Sequence, residues 1–189
     1  MSDGVENVRR RLLRAAAALK AAGVPYAVVG GNAVAAWVSR ADEAAVRNTR
    51  DVDLLLRRSD LASATAALEA AGFHYRRVAS LGQAGGLDVF LDGPAGRVGA
   101  AVHIVFAGEK TRPDQPEPNA LIQEGEDTED FRLISLDALV RMKLSAWRDK
   151  DRVHLRDLVS VGLVDATWLP RLPELLRERL EEILATPGG

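Results

Sequence analysis

A glycine pair between a short apolar run and a helix-forming stretch is the feature that most constrains this sequence. The run Tyr26–Val29 is typical of a buried strand, Gly30-Gly31 follows it directly, and the alanine-rich residues 33–39 favour a helix. A second apolar run over residues 51–56 predicts another strand. This order of strand, glycine turn, helix and strand predicts a sheet with helices packed against it.

The same patterns predict further elements on both sides of this unit. Helical spacing of apolar residues over 5–22 predicts an amphipathic first helix, and the segment after Ser59-Asp60 predicts a helix that ends at Gly72. Three more stretches have strand composition: 73–79, 87–91 and 98–106. Residues 92–96, Asp-Gly-Pro-Ala-Gly, predict a hairpin turn between the last two.

The chain changes character after residue 108. Prolines and acidic residues over 109–134 predict an exposed connection, and helices are predicted over 136–147, 151–161 and 173–184. We therefore expect an α+β fold, with a mixed β-sheet and flanking helices over 1–108, the connection over 109–134, and a C-terminal helical region over 135–189.

Composition excludes several classes of function. The chain has 189 residues and no cysteine, so disulfides, thiolate metal sites and cysteine nucleophiles are absent. A net charge of −2 excludes a uniformly basic nucleic-acid coat. No P-loop motif and no Gly-x-Ser-x-Gly elbow occurs. The lack of a long apolar run and of a signal peptide predicts a cytoplasmic protein without a membrane partner.

Two aspartates at the start of the second predicted strand indicate a metal site. Asp51 and Asp53 are two residues apart, so their side chains project from the same face of a strand. Mg²⁺ prefers one or two protein carboxylates together with substrate phosphates. The Gly30-Gly31 turn lets backbone N–H groups approach a phosphate at the positive end of the following helix. Taken separately, either motif is also compatible with an ordinary tight turn or a solvated strand end.

Together, the two motifs resemble the nucleotidyltransferase superfold of polymerase β-like enzymes, minimal nucleotidyltransferases and AbiEii-type toxins. The resemblance lies in residues 29–34, Val-Gly-Gly-Asn-Ala-Val, and residues 47–54, Arg-Asn-Thr-Arg-Asp-Val-Asp-Leu. A second similarity lies in residues 142–152, which contain a Lys-x-x-Ala-x-Arg-x-Lys-Asp pattern. If one helix runs through this region, Lys143, Trp147, Lys150 and His154 share a basic face; a solvated amphipathic helix is the alternative interpretation.

The resemblance implies transfer of a nucleoside monophosphate from a nucleoside triphosphate to a tRNA end, a protein hydroxyl or a small molecule. It implies Mg²⁺ or Mn²⁺ as cofactor and, for a toxin, a cognate antitoxin. Catalysis is expected from Asp51, Asp53 and Lys143, and metal binding from Asp51, Asp53 and His103. The nucleotide is expected to contact Gly30, Gly31, Asn32, Arg47, Thr49, Lys143 and Arg148.

His103 is a departure from the pattern of active members. It occupies the strand position where they carry a third carboxylate, and imidazole is a poor ligand for Mg²⁺. The change is compatible with a retuned metal site, or with a nucleotide-binding or protein-interaction module that has lost catalysis. Asp88 on the preceding predicted strand is a possible substitute for the missing acid.

Overall fold

The computed structural model describes residues 3–80 and 83–186. Within these ranges the α-helices are α1 (Asp3–Ala21), α2 (Gly30–Ala41), α3 (Leu61–Ala70), α4 (Leu136–Ala146), α5 (Asp149–Ser160) and α6 (Glu174–Ala185). The strands are β1 (Tyr26–Val29), β2 (Val52–Leu56), β3 (Phe73–Ser80), β4 (Gln83–Asp92), β5 (Ala101–Phe106), β6 (Gly125–Asp127) and β7 (Arg132–Ile134). None of these helices is both long and apolar enough to cross a membrane.

The strands of the described ranges form one mixed sheet of seven strands in the order β3-β4-β5-β2-β1-β7-β6. Strand β2 lies at its centre, antiparallel to β1 and parallel to β5. The register pairs Asp53 with Val29 on one side and with His103 on the other. Asp53 and His103 are therefore cross-strand neighbours, and Gly30 directly follows the residue that lies opposite Asp53 on β1.

Helices cover both faces of the sheet because alternate strand residues are apolar on both faces. One face buries Val28, Leu54 and Phe90 with residues of α1 and α3. The other face buries Val29 and Leu55 with residues of α2, α4, α5 and α6. Asp53 and His103 lie on this second face, so α4 and α5 form the wall opposite them.

The predicted fold class is confirmed, and most strands lie where the sequence placed them. The hairpin at residues 92–96 joins β4 to β5, which pair antiparallel with Leu91 opposite Ala101. Several boundaries differ: β4 begins at Gln83, four residues before the predicted strand, and α2 begins at Gly30, so the glycine pair belongs to the helix. Asp51 precedes β2 rather than beginning it, and residues 98–100 form a turn of 3-10 helix before β5.

The helices predicted over 136–147 and 151–161 are found as α4 and α5, so the alternative of one helix through residues 143–154 does not hold. Trp147 adopts a left-handed conformation with φ 52°, which ends α4 before α5 begins at Asp149. Arg112 donates to the carbonyl of Ala146 at 2.7 Å, and Arg179 donates to that of Leu144 at 2.6 Å. These guanidinium groups satisfy carbonyls that the end of a helix leaves without partners.

The expectation of an exposed connection over residues 109–134 is also wrong for much of that stretch. Its residues form β6 and β7, and Gln115, Asn119, Ala120 and Ile122 are buried. The Asn119 amide donates to the carbonyl of Phe106 at 3.1 Å. The prolines and acidic residues that suggested exposure lie between these buried residues. Local composition alone does not reveal which residues of such a stretch are buried.

We predict that Asn119→Ala lowers the free energy of unfolding by about 1–3 kcal/mol, because it leaves the buried carbonyl of Phe106 without this donor. Urea unfolding followed by circular dichroism measures the change. Leu121→Ala is the matched control, since Leu121 is exposed and its loss is expected to change stability by less than about 0.5 kcal/mol. Equal stability of the two variants would contradict a structural role for this segment.

Candidate nucleotide and metal site

A close contact between Gly30 and Asp53 forms the centre of the site. Gly30 has φ 65° and begins α2 directly after β1, with no side chain capping the helix. A Cβ atom on Gly30 would lie 2.0 Å from Oδ2 of Asp53, so only glycine fits here. The Asp53 carboxylate is consequently held against the N-terminal turn of α2, where backbone N–H groups have no partners within the helix.

Asp51 lies two residues before Asp53, directly before β2 begins. Its backbone carbonyl accepts a hydrogen bond of 2.6 Å from the Asn32 amide, while its Oδ1 atom is buried and has no hydrogen-bond partner. Burial raises the pKa of Asp51, and the negative charge of Asp53 adds to this rise. A buried carboxylate oxygen without a donor is costly, and a bound cation would remove that cost.

His103 stands beside Asp53, as the parallel pairing of β5 with β2 requires. Its Nε2 atom lies 2.9 Å from the carbonyl oxygen of Val98, which can only accept a hydrogen bond. Nε2 therefore carries the proton, and in the neutral ring Nδ1 keeps its lone pair. Nδ1 lies 3.8 Å from Oδ1 of Asp53, so the free nitrogen is turned toward the carboxylate.

Lys143, Arg148 and Asp151 form an ion-pair network on the opposite wall. Lys143 is 4% exposed and donates to Oδ1 of Asp151 at 2.8 Å; Arg148 donates to Oδ2 at 2.7 Å and is 47% exposed. Burial raises the pKa of Asp151, but Lys143 and Arg148 outweigh it and lower that pKa to about 2. The lysine is thus already paired, and Arg148 is the more accessible cation.

A cavity of about 290 Å³ lies between the sheet and these helices. Five residues predicted for the site line it: Gly30, Asp53, His103, Lys143 and Arg148. The remaining charged or polar lining residues are Thr111, Arg112, Gln115, Asn119, Lys150 and Asp151. Sequence reasoning assigned none of these six a role in the site. Asp151 and Lys150 fall within the motif that carried the family resemblance, whereas the other four belong to the stretch interpreted as a connection.

The remaining residues predicted to bind nucleotide lie outside the cavity lining. Gly31 packs against Thr49, and the Thr49 hydroxyl is 3.5 Å from the carbonyl oxygen of Asp51. Arg47 forms an ion pair with Asp157 at 2.7 Å. None of Gly31, Asn32, Arg47 and Thr49 lines this cavity, and neither does Asp51. Asn32 and Thr49 instead contact the backbone that carries Asp51.

Asp88 does not substitute for the missing third acid. The register places Val89 beside His103, and adjacent strand residues face opposite sides of the sheet, so Asp88 points away from Asp53. Its buried carboxylate accepts a hydrogen bond of 2.6 Å from the Tyr75 hydroxyl.

The donor atoms suit a cation that takes most of its ligands from substrate and water. Among residues 3–80 and 83–186, no three His, Asp or Glu side chains are close enough together to hold a metal ion. Asp51, Asp53 and His103 therefore do not form a three-ligand centre. Two neighbouring carboxylates that influence each other electrostatically, one with an unpartnered buried oxygen, fit the mode in which Mg²⁺ or Mn²⁺ is completed by phosphate oxygens and water.

Solved structures with a similar fold extend over nearly the whole chain. The antibiotic-resistance factor ANT(2'')-Ia has a TM-score of 0.53 at 16% identity, covering 95% of this chain and 91% of its own. An antigenic nucleotidyltransferase-like protein from Paracoccidioides brasiliensis has a TM-score of 0.53 at 19% identity, covering 97% of this chain and 88% of its own. The chain therefore has the nucleotidyltransferase fold. No family model and no curated protein matches it, and the AbiEii-type family in particular is not supported.

We predict that Gly30→Ala destabilises the protein more than Gly23→Ala does. Both glycines have nearly the same φ, 65° and 66°, but a Cβ on Gly23 meets no atom within 4 Å. The backbone strain of about 1–2 kcal/mol is common to both variants, and displacement of Asp53 adds about 1–3 kcal/mol to Gly30→Ala alone. Urea unfolding measures both variants; equal losses would mean that the contact with Asp53 is not tight.

We also predict that Mn²⁺ binding weakens as the pH falls, beginning above the ordinary aspartate pKa of 3.8. The raised pKa means that Asp51 takes up a proton at a higher pH than a solvated aspartate, and the protonated form binds cations poorly. Electron paramagnetic resonance titrations between about pH 7 and about pH 4 would measure this change. Asp51→Asn is the control that lacks this titration. A Mn²⁺ affinity of the unmodified protein that does not change down to pH 3.8 would contradict the prediction.

Proposed function

We propose that this protein is a metal-dependent nucleotidyltransferase that moves a nucleoside monophosphate from a nucleoside triphosphate to an acceptor hydroxyl. One observation carries the proposal: the Asp53 carboxylate rests on Gly30 at the start of α2 and borders a cavity lined by cations. Carboxylates for a metal, free helix N–H groups for phosphate and nearby positive side chains are the components that phosphoryl chemistry requires.

The triphosphate would lie along the N-terminal turn of α2. Unpaired N–H groups of that turn would donate to its oxygens, and Arg148, Lys150 and Arg112 line the cavity on the side of the helical region. Lys143 would direct its positive charge to the phosphates while it remains paired with Asp151. This ion pair fixes the position of its ammonium group. The enclosed part of the cavity lies near the lower end of the size range for small-molecule sites.

In the proposed reaction the acceptor oxygen forms a bond to the α-phosphorus. The bond from that phosphorus to its bridging oxygen breaks, and pyrophosphate leaves with the electron pair. The acceptor proton passes to Nδ1 of His103, the ring nitrogen that the hydrogen bond to Val98 leaves free. When bound by Asp51 and Asp53, Mg²⁺ or Mn²⁺ supplies charge neutralisation at the phosphates.

Three classes of acceptor are compatible with this proposal: an RNA end such as that of tRNA, a protein hydroxyl, or a small molecule. A toxin role with a cognate antitoxin rests on the sequence resemblance alone. A small-molecule acceptor is compatible with the similarity in fold to ANT(2'')-Ia, which is itself described as an antibiotic-resistance factor.

A second candidate function is nucleotide binding without transfer. It is favoured by His103 at the position of the third carboxylate, and by the absence of any three-ligand acidic or histidine cluster in the described part of the chain. In such a module Asp51 and Asp53 would still hold a metal-bound nucleotide, and His103 would serve only the contact with Val98.

We predict that the protein transfers label from an α-labelled nucleoside triphosphate to an acceptor in Mg²⁺ or Mn²⁺. The double variant Asp51→Asn, Asp53→Asn is expected to lose at least about 1,000-fold of the rate, because the metal contributes several kcal/mol of charge stabilisation. His103→Gln is expected to lose about 100-fold through the missing proton acceptor. Gel and mass-spectrometric detection of labelled RNA, protein and small-molecule acceptors measures the transfer.

Asp165→Asn is the matched control, since Asp165 caps a 3-10 helix and does not line the cavity. It is expected to keep the full rate. Full activity in the double aspartate variant would contradict the proposed function. Metal-dependent nucleotide binding without transfer, together with a gain of transfer in His103→Asp, would support the second candidate.

A further inference from the structure

One arginine of α1 is buried, although α1 presents a row of arginines that otherwise resembles a solvated helix face. Arg11 is 7% exposed, whereas Arg9 and Arg10 are exposed. Its Nε atom donates to Oδ2 of Asp92 at 3.3 Å, and its Nη1 atom donates to the carbonyl oxygen of Arg50 at 3.2 Å. The second contact reaches the residue immediately before Asp51.

The chain that carries Asp51 depends on such contacts because residues 46–51 belong to no helix or strand. Arg11 binds the carbonyl of Arg50 from α1, and Asn32 binds the next carbonyl, that of Asp51, from α2 at 2.6 Å. Two consecutive peptide groups are therefore held by side chains of two different helices. Since Asp51 carries an unpartnered buried oxygen, its carboxylate is placed by this backbone rather than by hydrogen bonds of its own.

We propose that Arg11 is a positioning residue that holds the Arg50-Asp51 backbone so that the Asp51 carboxylate stands beside Asp53 ready for a divalent cation. This inference rests on the proposed function for its consequence, which is metal affinity. Its structural half, the immobilisation of residues 48–54 by α1, can be measured without any metal.

Arg14 provides a matched comparison on the same helix. It also forms an ion pair with Asp92 and stacks on Phe73, with 4.2 Å from its guanidinium carbon to the ring centroid, but it does not contact Arg50. If Arg11 served only to attach α1 to Asp92, removing Arg14 would have the same effect on the site as removing Arg11. Only Arg11 links that ion pair to the backbone before Asp51.

The experiment compares Arg11→Met, Arg11→Lys and Arg14→Met with the unmodified protein. Hydrogen exchange measured by mass spectrometry follows peptides covering residues 48–54, Mn²⁺ titration follows the metal site, and thermal unfolding reports global stability. We expect exchange in these peptides to be about tenfold faster in Arg11→Met and unchanged in Arg14→Met. Mn²⁺ affinity should fall about tenfold in Arg11→Met alone, with partial recovery in Arg11→Lys, whose single ammonium group can still donate to Arg50.

Unchanged exchange in Arg11→Met, or an equal increase in Arg14→Met, would overturn the proposal. If Arg11→Met does not fold, Arg11→Lys decides: the guanidinium holds the Arg50 carbonyl from its bond to Asp92, so exchange and Mn²⁺ affinity equal to those of the unmodified protein would show that this bridge is not needed and would overturn the proposal. If the unmodified protein binds no Mn²⁺, the proposed function fails separately, and the exchange measurement still decides whether Arg11 holds this backbone.

Discussion

The rest of the site depends on the absence of a side chain at Gly30. Because β1 and β2 pair with Val29 opposite Asp53, the carboxylate of Asp53 falls on the first residue of α2, where a Cβ atom would lie 2.0 Å from its oxygen. The left-handed φ of Gly30 also turns the chain from strand to helix without an intervening loop. A carboxylate and the N-terminal end of a helix are thereby brought together, and a metal-bound phosphate can bridge between them.

The aspartates on the two sides of the site differ in how completely their carboxylates are paired, and this difference suits the proposed function. On the helical wall Asp151 is fully paired with Lys143 and Arg148, so its pKa is low and the network is complete without a ligand. On the sheet side Asp51, which does not line the cavity, has a buried oxygen without a hydrogen-bond partner, and burial raises its pKa. A buried polar atom without a partner is typical of functional sites, where a bound ligand can satisfy it.

Local patterns predicted the part of the site that local geometry determines. The glycine turn and strand alternation predicted Gly30 and Asp53, while His103 was assigned to the site only by the family resemblance. The pairing of Arg47 with Asp157, the contact of Arg11 with Arg50 and the burial of Asn119 could not be predicted, since each joins an element to a partner distant in sequence. The break after α4 was predicted as a gap between two helices, but its capping by Arg112 and Arg179 was not, because both arginines lie outside that helix.

Isothermal titration of the purified protein with nucleoside triphosphates, in Mg²⁺ and separately in Mn²⁺, measures whether Asp51 and Asp53 hold a metal-bound nucleotide. We predict binding that requires the metal and is lost in the Asp51→Asn, Asp53→Asn variant. The thermal stability of this variant should remain equal to or above that of the unmodified protein, because a poorly solvated carboxylate is removed. Nucleotide binding that is the same with and without metal, or that persists in the double variant, would contradict the predicted metal-dependent binding.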